Sequence, residues 1–539
     1  MPTDVARPPI RIGLLVGATR GPAWWRDVID ALVQSPDALI VGAHVARRVD
    51  PRPRPRRGAT VLRLYQLVDG RLFGRPDDPS RVVDLRSVLG DMAALSDESG
   101  TAAVDLILTL GAAPDAWRPV TDPQFGTWVF EHPTDPTALV APVGGALPPG
   151  GEELLRGQPS ATTLLVAVLG PTAGRWLLGE VISRVDILSL RRGSRGHLRK
   201  LPTLVVGAVQ ELREVGTLPG RPDPMAQSVR QAIGRPAQVV AMALLRTVVG
   251  YGIRRLRRAL MTDRWVIGVI RSADPTCATG NLVRDVQVLE TPPGLDWADP
   301  FPIRLPDLDI LFIEEYDRRQ DRGWLTLVEL DDSPRGYRSV EIILDLPHHL
   351  SYPFVFEWEG SWYLMPEQAS TGSLALYRAR SFPREWRWHA TALDLPVADP
   401  TLARIGERWW LFGAIKVDGG NAADELHLFH AESPLGPWTP HARNPVVSDI
   451  RTARPAGRIF QRNDRWFRPA QDGTLGYGHS MVILEILDIT PETYRERPVG
   501  SILPDWAPGL IATHSINEDA GLTAIDGLLR ESRLRKPRR

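Results

Sequence analysis

The sequence predicts a multidomain protein: an N-terminal α/β domain with a Rossmann-like parallel sheet, followed by an all-β five-bladed propeller. Three observations carry that reading. In the second half, a residue followed by proline opens the same strand, turn, strand unit four times, at Asp299-Pro300, Tyr352-Pro353, Asp399-Pro400 and Arg454-Pro455. These openings recur roughly every 45 to 55 residues, the period of four-stranded propeller blades. In the first half, short apolar runs alternate with helical stretches instead, the pattern of parallel strands and crossover helices.

The first domain is expected over residues 1–215. Ile12-Gly13-Leu14-Leu15-Val16 reads as a short buried strand, 24–33 as a helix, and 39–42 and 104–110 as further strands. The glycines at 13, 17 and 21 do not have the dinucleotide-binding spacing, so no nicotinamide site and no cofactor is expected. A helical linker is expected over 216–263. Within it, 237–253 is apolar apart from Gln238, Arg246 and Thr247, and Arg254-Arg255-Leu256-Arg257-Arg258 follows. It falls short of a membrane span. Two readings stand, a helix packed between domains or an interfacial helix making peripheral membrane contact through 237–258.

In the propeller, expected over 264–530, each opening leads to a turn: Pro306-Asp307-Leu308-Asp309, Trp358-Glu359-Gly360-Ser361, Ile405-Gly406-Glu407-Arg408 and Arg462-Asn463-Asp464-Arg465. Their Pro, Gly, Asn and Asp supply the backbone angles of hairpin reversals. Third strands follow at 324–328, 374–377, 426–429 and 481–485. A fifth unit, 511–525, lacks two strands, which 264–270 and 282–289 can supply. Pairing the end of the chain with the start of the domain would close the ring and leave no open sheet edge. A basic tail, 531–539, completes the chain.

At 539 residues, about two or three domains are expected. With 64 basic and 64 acidic residues the formal charge is balanced, so nucleic acid is not an expected partner. The clusters at 52–57 and 533–539 read as solvated loop and tail. The single cysteine, Cys277, excludes an internal disulfide framework and Cys-rich zinc sites. Residues 1–11 are polar and proline-rich, and the apolar run 12–16 is too short for a signal peptide. A cytoplasmic setting is expected, with membrane association through 237–258 as the variant.

Two resemblances add to this. Asp105-Leu106-Ile107-Leu108-Thr109-Leu110-Gly111, then Phe125-Gly126-Thr127-Trp128-Val129-Phe130-Glu131-His132, then 167–192 with Gly174, Gly179-Glu180 and Ile187, resemble the formyltransferase N-terminal fold. That family uses an Asn two residues before a His, and a downstream Asp in a glycine-rich turn. His132 matches the His, but Phe130 stands at the Asn position and the turn 174–179 has no Asp. The resemblance implies a degenerate N-terminal site reduced to His132, poorly equipped for acid and base work. One-carbon transfer by this domain is the least favoured function.

The second resemblance rests on Trp297-Ala298-Asp299-Pro300-Phe301, on 348–356, on Leu364-Met365-Pro366-Glu367 and Leu376-Tyr377-Arg378, and on Ala398-Asp399-Pro400-Thr401-Leu402 with Trp409-Trp410-Leu411-Phe412. These resemble the N-terminal domain of plant glucosamine inositolphosphorylceramide transferase and its bacterial relatives, over 264–527. The resemblance implies a propeller similar to arabinanase and xylosidase-type glycosidases, and a place in glycan or glycolipid biosynthesis.

First strands line the central channel of a propeller, so Asp299, Tyr352, Asp399 and Arg454 should converge at one end, with His514 near them. Fifteen residues beyond the openings stand Glu314, Glu367, Ala414 and Pro469. Carboxylates, an arginine and tryptophan faces suit a sugar or glycoconjugate ligand. Inverting glycoside hydrolysis needs a base and an acid roughly 6.5 to 9.5 Å apart. Asp299 is the candidate base, Asp399 a second carboxylate that tunes it, and Glu367 or Glu314 the candidate acid. Tyr352, Arg454, His514 and His349 are candidate substrate-binding residues.

The competing reading makes Asp-Pro a blade signature that caps local backbone, and Glu314 and Glu367 structural anchors across blades. His348-His349, like His427 and His430, do not form an obvious metal pair, and a metal or water held by His514 stays open. Trp386, Trp388, Trp409 and Trp410 are expected to pack between blades. Sugar recognition in the channel is the leading function, with a glycoside-processing enzyme as the alternative.

Overall fold

The computed structural model describes residues 7–46, 67–95, 104–112, 122–131, 133, 151–170, 174–186, 189–222, 249–250, 252–253, 255–256, 260–271, 285–416 and 424–532. They divide into two compact units, Met1–Gly252 and Ile253–Arg539. His132, Cys277, the clusters at 52–57 and 533–539, and most of 237–258 lie outside the described residues.

The first unit holds a seven-stranded sheet in the order Ala38–Val45, Ile10–Val16, Leu106–Leu110, Thr127–Glu131, Ser160–Val168, Arg175–Arg184, Arg221–Pro222. The first four strands are parallel. The remaining pairings are antiparallel, so the expected parallel sheet is corrected to a mixed one. For the pair Ser160–Val168 and Arg175–Arg184 the reason is connection length. Only a short turn, with Gly170 and Gly174 at φ 55 and 95, separates Ser160–Val168 from Arg175–Arg184. A parallel return needs a crossover of about a dozen residues or more.

The helix Ala23–Gln34 buries Trp24, Trp25, Val28, Ile29 and Leu32, a single face at helical spacing. Its Trp25 ring lies so close to Gly111, at φ +68, that a Cβ there would come within 1.9 Å of it. Glycine at that strand end therefore serves packing. Of the expected linker, the described residues 249–250, 252–253, 255–256 and 260 are helical, while Arg221–Pro222 extends the first sheet and the strand Met261–Arg271 begins the propeller. No described helix is long and apolar enough to cross a membrane.

The second unit is a five-bladed β-propeller. Blade one is Leu295–Leu305, Leu308–Asp317, Arg322–Leu330 and Tyr337–Leu344; blade two is Ser351–Trp358, Ser361–Glu367, Leu374–Ser381 and Glu385–Leu393. Blade three is Val397–Ile405, Arg408–Ile415, Leu426–Ala431 and Thr439–Pro440; blade four is Phe460–Arg462, Arg465–Asp472, Ser480–Ile489 and Tyr494–Ile502. In blade five, Leu510–Ala512 and Ile516–Asp519 pair with Leu522–Ser532. That strand pairs with Met261–Arg271 from the start of the unit, which pairs in turn with Gln287–Val288. The ring closes as the pattern predicts, and Ile267, Ala524 and Ile525 are fully buried in the closing sheet.

The openings of blades one to three share one local device. The pairing register shifts between Ala298 and Phe301, Ser351 and Phe354, and Ala398 and Thr401, a bulge at each residue-proline step. Proline has no N–H for the ladder, so a bulge is where a strand can accept it. At these bulges Asp299, Tyr352 and Asp399 take φ of 49, 47 and 50, a left-handed conformation that costs a non-glycine residue about 1 kcal/mol or more. Blade four has no such shift. Gln471 N–H donates to Arg454 O at 2.8 Å, and Arg454 is not left-handed.

Candidate functional site

The bulges turn the opening residues toward one end of the channel and set up a relay of acids around it. Asp526 of blade five accepts from the Asp299 N–H of blade one at 3.0 Å. Asp299 accepts from the Tyr352 N–H of blade two at 3.2 Å, and Glu367 of blade two from the Asp399 N–H of blade three at 3.0 Å. Each acid thus holds the start of the next blade, so the blade-signature reading of Asp-Pro and the site reading describe the same atoms.

Two ion pairs anchor the ring. Arg454 donates to both oxygens of Asp399, Nε at 2.7 Å and Nη2 at 3.2 Å, and Gln471 Nε2 donates to the same carboxylate at 2.7 Å. Burial alone would raise the Asp399 pKa, but the Arg454 charge and its hydrogen bonds outweigh it and hold Asp399 below the usual carboxylate range. On the other side, His514 Nδ1 lies 2.8 Å from Asp526, which also accepts from the backbone N–H of His514 and of Ser515, each at 3.0 Å. Burial disfavours charge on His514, yet Asp526 and Asp299 prevail and push it up to about 9.

Asp299, His514 and Asp526 offer atoms within 4.8 Å of one another, a spacing that would suit a metal ion. His514 spends Nδ1 on Asp526, which leaves Nε2, 3.6 Å from Asp299, as the ring nitrogen free to turn to a ligand.

The same two cations reach Asp299 and Glu367 at longer range. Asp299 is 4 % exposed; burial, helped by Asp399 and Asp526 and opposed by His514 and Arg454, lifts it to about 7. Its Oδ1 has no hydrogen-bond partner and stands 3.6 Å from His514 Nε2. Burial and the Asp399 charge lift Glu367 to about 8, and its nearest cation, Arg454 Nη2, is 3.4 Å away. Glu314 is raised well above its ordinary value by burial and by Asp299 and Glu367. His349 Nε2 sits 3.4 Å from Glu314, while its Nδ1 accepts the Gly323 N–H at 2.9 Å. Burial lowers the His349 pKa, so it meets Glu314 as a neutral ring with its proton on Nε2.

The structure thus brings together Asp299, Asp399, Arg454, His514, Glu314 and Glu367 as the sequence predicts, with His349 beside Glu314. Tyr352 differs. Its ring is fully buried, edge-on to Phe301 at 4.9 Å, and its hydroxyl bonds Thr401 Oγ1 at 2.7 Å. It joins blades instead of offering a polar group to a ligand. In blade four the unshifted register puts Gln471, not Pro469, opposite Arg454; Pro469 lines a separate cleft with Arg458, Phe460 and Ile516. Ala414 brings no polar group.

Sequence reasoning missed Asp526, a fully buried acid inside the apolar run 522–529 whose isolation was the available signal. It also missed Tyr477, which is 53 % exposed and presents a ring 5.2 Å from the Arg454 guanidinium and 5.4 Å from His514. Of the tryptophans expected between blades, Trp386 and Trp410 are buried, whereas Trp388 is exposed.

Residues 288–509 match a family described as glucosamine inositolphosphorylceramide transferase 1, N-terminal. The chain is 36% identical over 205 residues to glucosamine inositolphosphorylceramide transferase 1 of Oryza sativa subsp. japonica, covering 38% of this chain and 28% of that protein. It is 34% identical over 202 residues to the protein of that name from Arabidopsis thaliana, covering 37% and 26%. Among solved structures it is similar to Zg3597, a family 117 glycoside hydrolase from Zobellia galactanivorans, at 12% identity and TM-score 0.32, over 49% of this chain and 90% of that one. It is also similar to RS223-Beta-xylosidase at 12% identity and TM-score 0.33, over 45% and 93%. The similarity to the transferases therefore lies in the propeller, and the chain spans little more than a quarter of the length of those curated relatives.

Proposed function

We propose that the propeller binds a sugar or glycoconjugate at the carboxylate end of its channel, and that the chain serves glycan or glycolipid biosynthesis. The observation that carries this is Asp299 Oδ1, a buried acceptor with no donor, set among Glu314, Glu367, Arg454 and His514. Sugar hydroxyls supply such donors, and the exposed Tyr477 ring offers a stacking face. The names of the transferase relatives support the biosynthetic setting.

Thermal shift and turnover of the full chain against glycolipid headgroups, nucleotide sugars and chromogenic glycosides test this. Stabilisation by one sugar class, lost in Asp299→Asn, is expected; no response to any sugar would overturn it.

A glycoside-processing enzyme is the second reading, favoured by Glu367 holding its proton up to about 8 as an acid should. It requires Asp299 to be ionised as base, and turnover abolished by both Asp299→Asn and Glu367→Gln would establish it. For the first unit we propose a formyltransferase-like scaffold without transfer activity, since Phe130 at the amide position is 2 % exposed and apolar. Peripheral membrane contact through 237–258 in a cytoplasmic setting belongs to the same proposal. Co-sedimentation with anionic but not with neutral vesicles is expected.

A further inference from the structure

We propose that the cleft between blades four and five binds a small carboxylate with an apolar body, received by the guanidinium of Arg458. The cleft lies away from the acid end of the channel, so this site stands apart from the sugar reading above.

Past Arg454 and the bend at Gly457, the chain of blade four runs away from the acids into Phe460–Arg462. Arg458 leaves it there and reaches across the channel. Its Nη2 donates to the Val355 carbonyl of blade two at 2.7 Å, and its guanidinium lies 5.3 Å from the Phe301 ring and 5.0 Å from the Phe354 ring. Those rings follow Asp299 and Tyr352 on the opening strands of blades one and two, which puts Arg458 one layer deeper than the acids.

Arginine stays charged inside a protein, and this one is short of partners. Arg454 and Arg468 each grip a carboxylate at 2.7 Å, Asp399 and Glu496. Among the described residues no carboxylate forms an ion pair with Arg458, and its Nε is buried without a hydrogen bond. Burial pushes its pKa down against the pull of Asp519, whose Oδ2 is already taken by the Arg304 N–H at 2.7 Å. The two phenyl faces attract the cation but offer no acceptor in the plane of its N–H groups. A desolvated donor without an acceptor is costly, and a bound anion would supply both the acceptor and the charge.

The cleft supplies the room. It measures about 40 Å3, and Arg458 lines it together with Phe460, Pro469, Ile483, Ile502 and Ile516. That volume holds roughly three waters, or a carboxylate with a short alkyl chain. The walls choose among anions. Arg462 beside the cleft is paired with Glu518 at 3.3 Å, so it brings no second free cation, and Glu518 would repel a dianion such as phosphate. Asn517 is spent as well, its Oδ1 on the Arg458 N–H at 2.7 Å and its Nδ2 on Pro300 O at 2.9 Å. A phosphate would need several donors and a sugar would need polar walls. A monoanionic carboxylate needs the one guanidinium, and its apolar body meets apolar side chains.

The test is a ligand-observed NMR titration of the full chain at neutral pH and constant ionic strength, with sodium butyrate, butyramide and inorganic phosphate. Butyrate is expected to bind with a Kd of about 1 mM or tighter, at least about ten-fold tighter than butyramide, and phosphate should not displace it. Arg458→Met should erase the preference for butyrate over butyramide. Ile502→Phe, which enlarges a wall and leaves Arg458 in place, should weaken butyrate at least about ten-fold, and thermal unfolding checks that each variant is folded. Equal binding of butyrate and butyramide, displacement by phosphate, or unchanged butyrate binding in either folded variant overturns the proposal. Binding of no probe overturns it too, and leaves Arg458 as a plug that ties blade four to blade two.

Discussion

Replacing Arg454 by methionine removes the guanidinium that donates to both oxygens of Asp399 and leaves that buried carboxylate without its ion-pair partner. An ion buried without its partner costs about 3 to 5 kcal/mol, so Arg454→Met should lower the unfolding free energy from urea titration by that much, and Asp399→Asn in the same chain should recover a large part of it. At this scale the opening positions and their acidic neighbours were legible because proline punctuates each blade visibly. The fate of each side chain was not. Tyr352 occupies the same left-handed bulge as Asp299 and Asp399, yet its size sends it between blades onto Phe301. Gln471 was hidden because the fourth opening lacks the bulge, which moves the facing residue away from the fifteen-residue spacing. Asp526 gave no periodic signal at all, and its role depends on a pairing between distant ends of the domain.

At the scale of the element, the joint between blades four and five rests on Gly457. Its φ is +136, and a Cβ there would stand 1.9 Å from the Ile516 carbonyl oxygen, next to the bond from Ile516 N–H to Ala456 O. Backbone cannot yield as a flexible side chain can. Gly457→Ala is therefore expected to cost about 3 kcal/mol in denaturant unfolding, whereas Gly406→Ala, in a turn with open space around it, should cost less. The hairpins were readable from their turn residues: Glu359-Gly360 and Asn463-Asp464 both take the positive φ that tight reversals require. The antiparallel half of the first sheet was less so, because an apolar run looks alike in either direction and only the pair Ser160–Val168 and Arg175–Arg184 has a connection short enough to betray it.

For the molecule as a whole, the buried acids make stability depend on pH in an unusual direction. Asp299 near 7, Glu367 near 8 and His514 near 9 all lie above their ordinary values of 3.8, 4.5 and 6.5. Each binds its proton in the native state after the unfolded chain has lost it, so its contribution is present below the ordinary value and is lost as pH rises through the native one. Asp399 acts oppositely, stabilising above its ordinary value of 3.8 and losing that as pH falls. The Tm should be highest on the mildly acidic side and decline from about pH 5 to 9, less steeply in Glu367→Gln. A Tm that climbs over this range would mean that the native carboxyls are ionised. The overall architecture was legible from repeat spacing and from the missing strands of the fifth unit, while the meaning of the channel required the charges to be seen together. The ring has its seam in that fifth blade, where Met261–Arg271 zips to Leu522–Ser532. Residues 288–509, the stretch that matches other proteins, contain neither half of the zip. A recombinant piece trimmed to those limits would be an arc with two raw ends, and one meant to hold a ligand must start before 261 and run past 532.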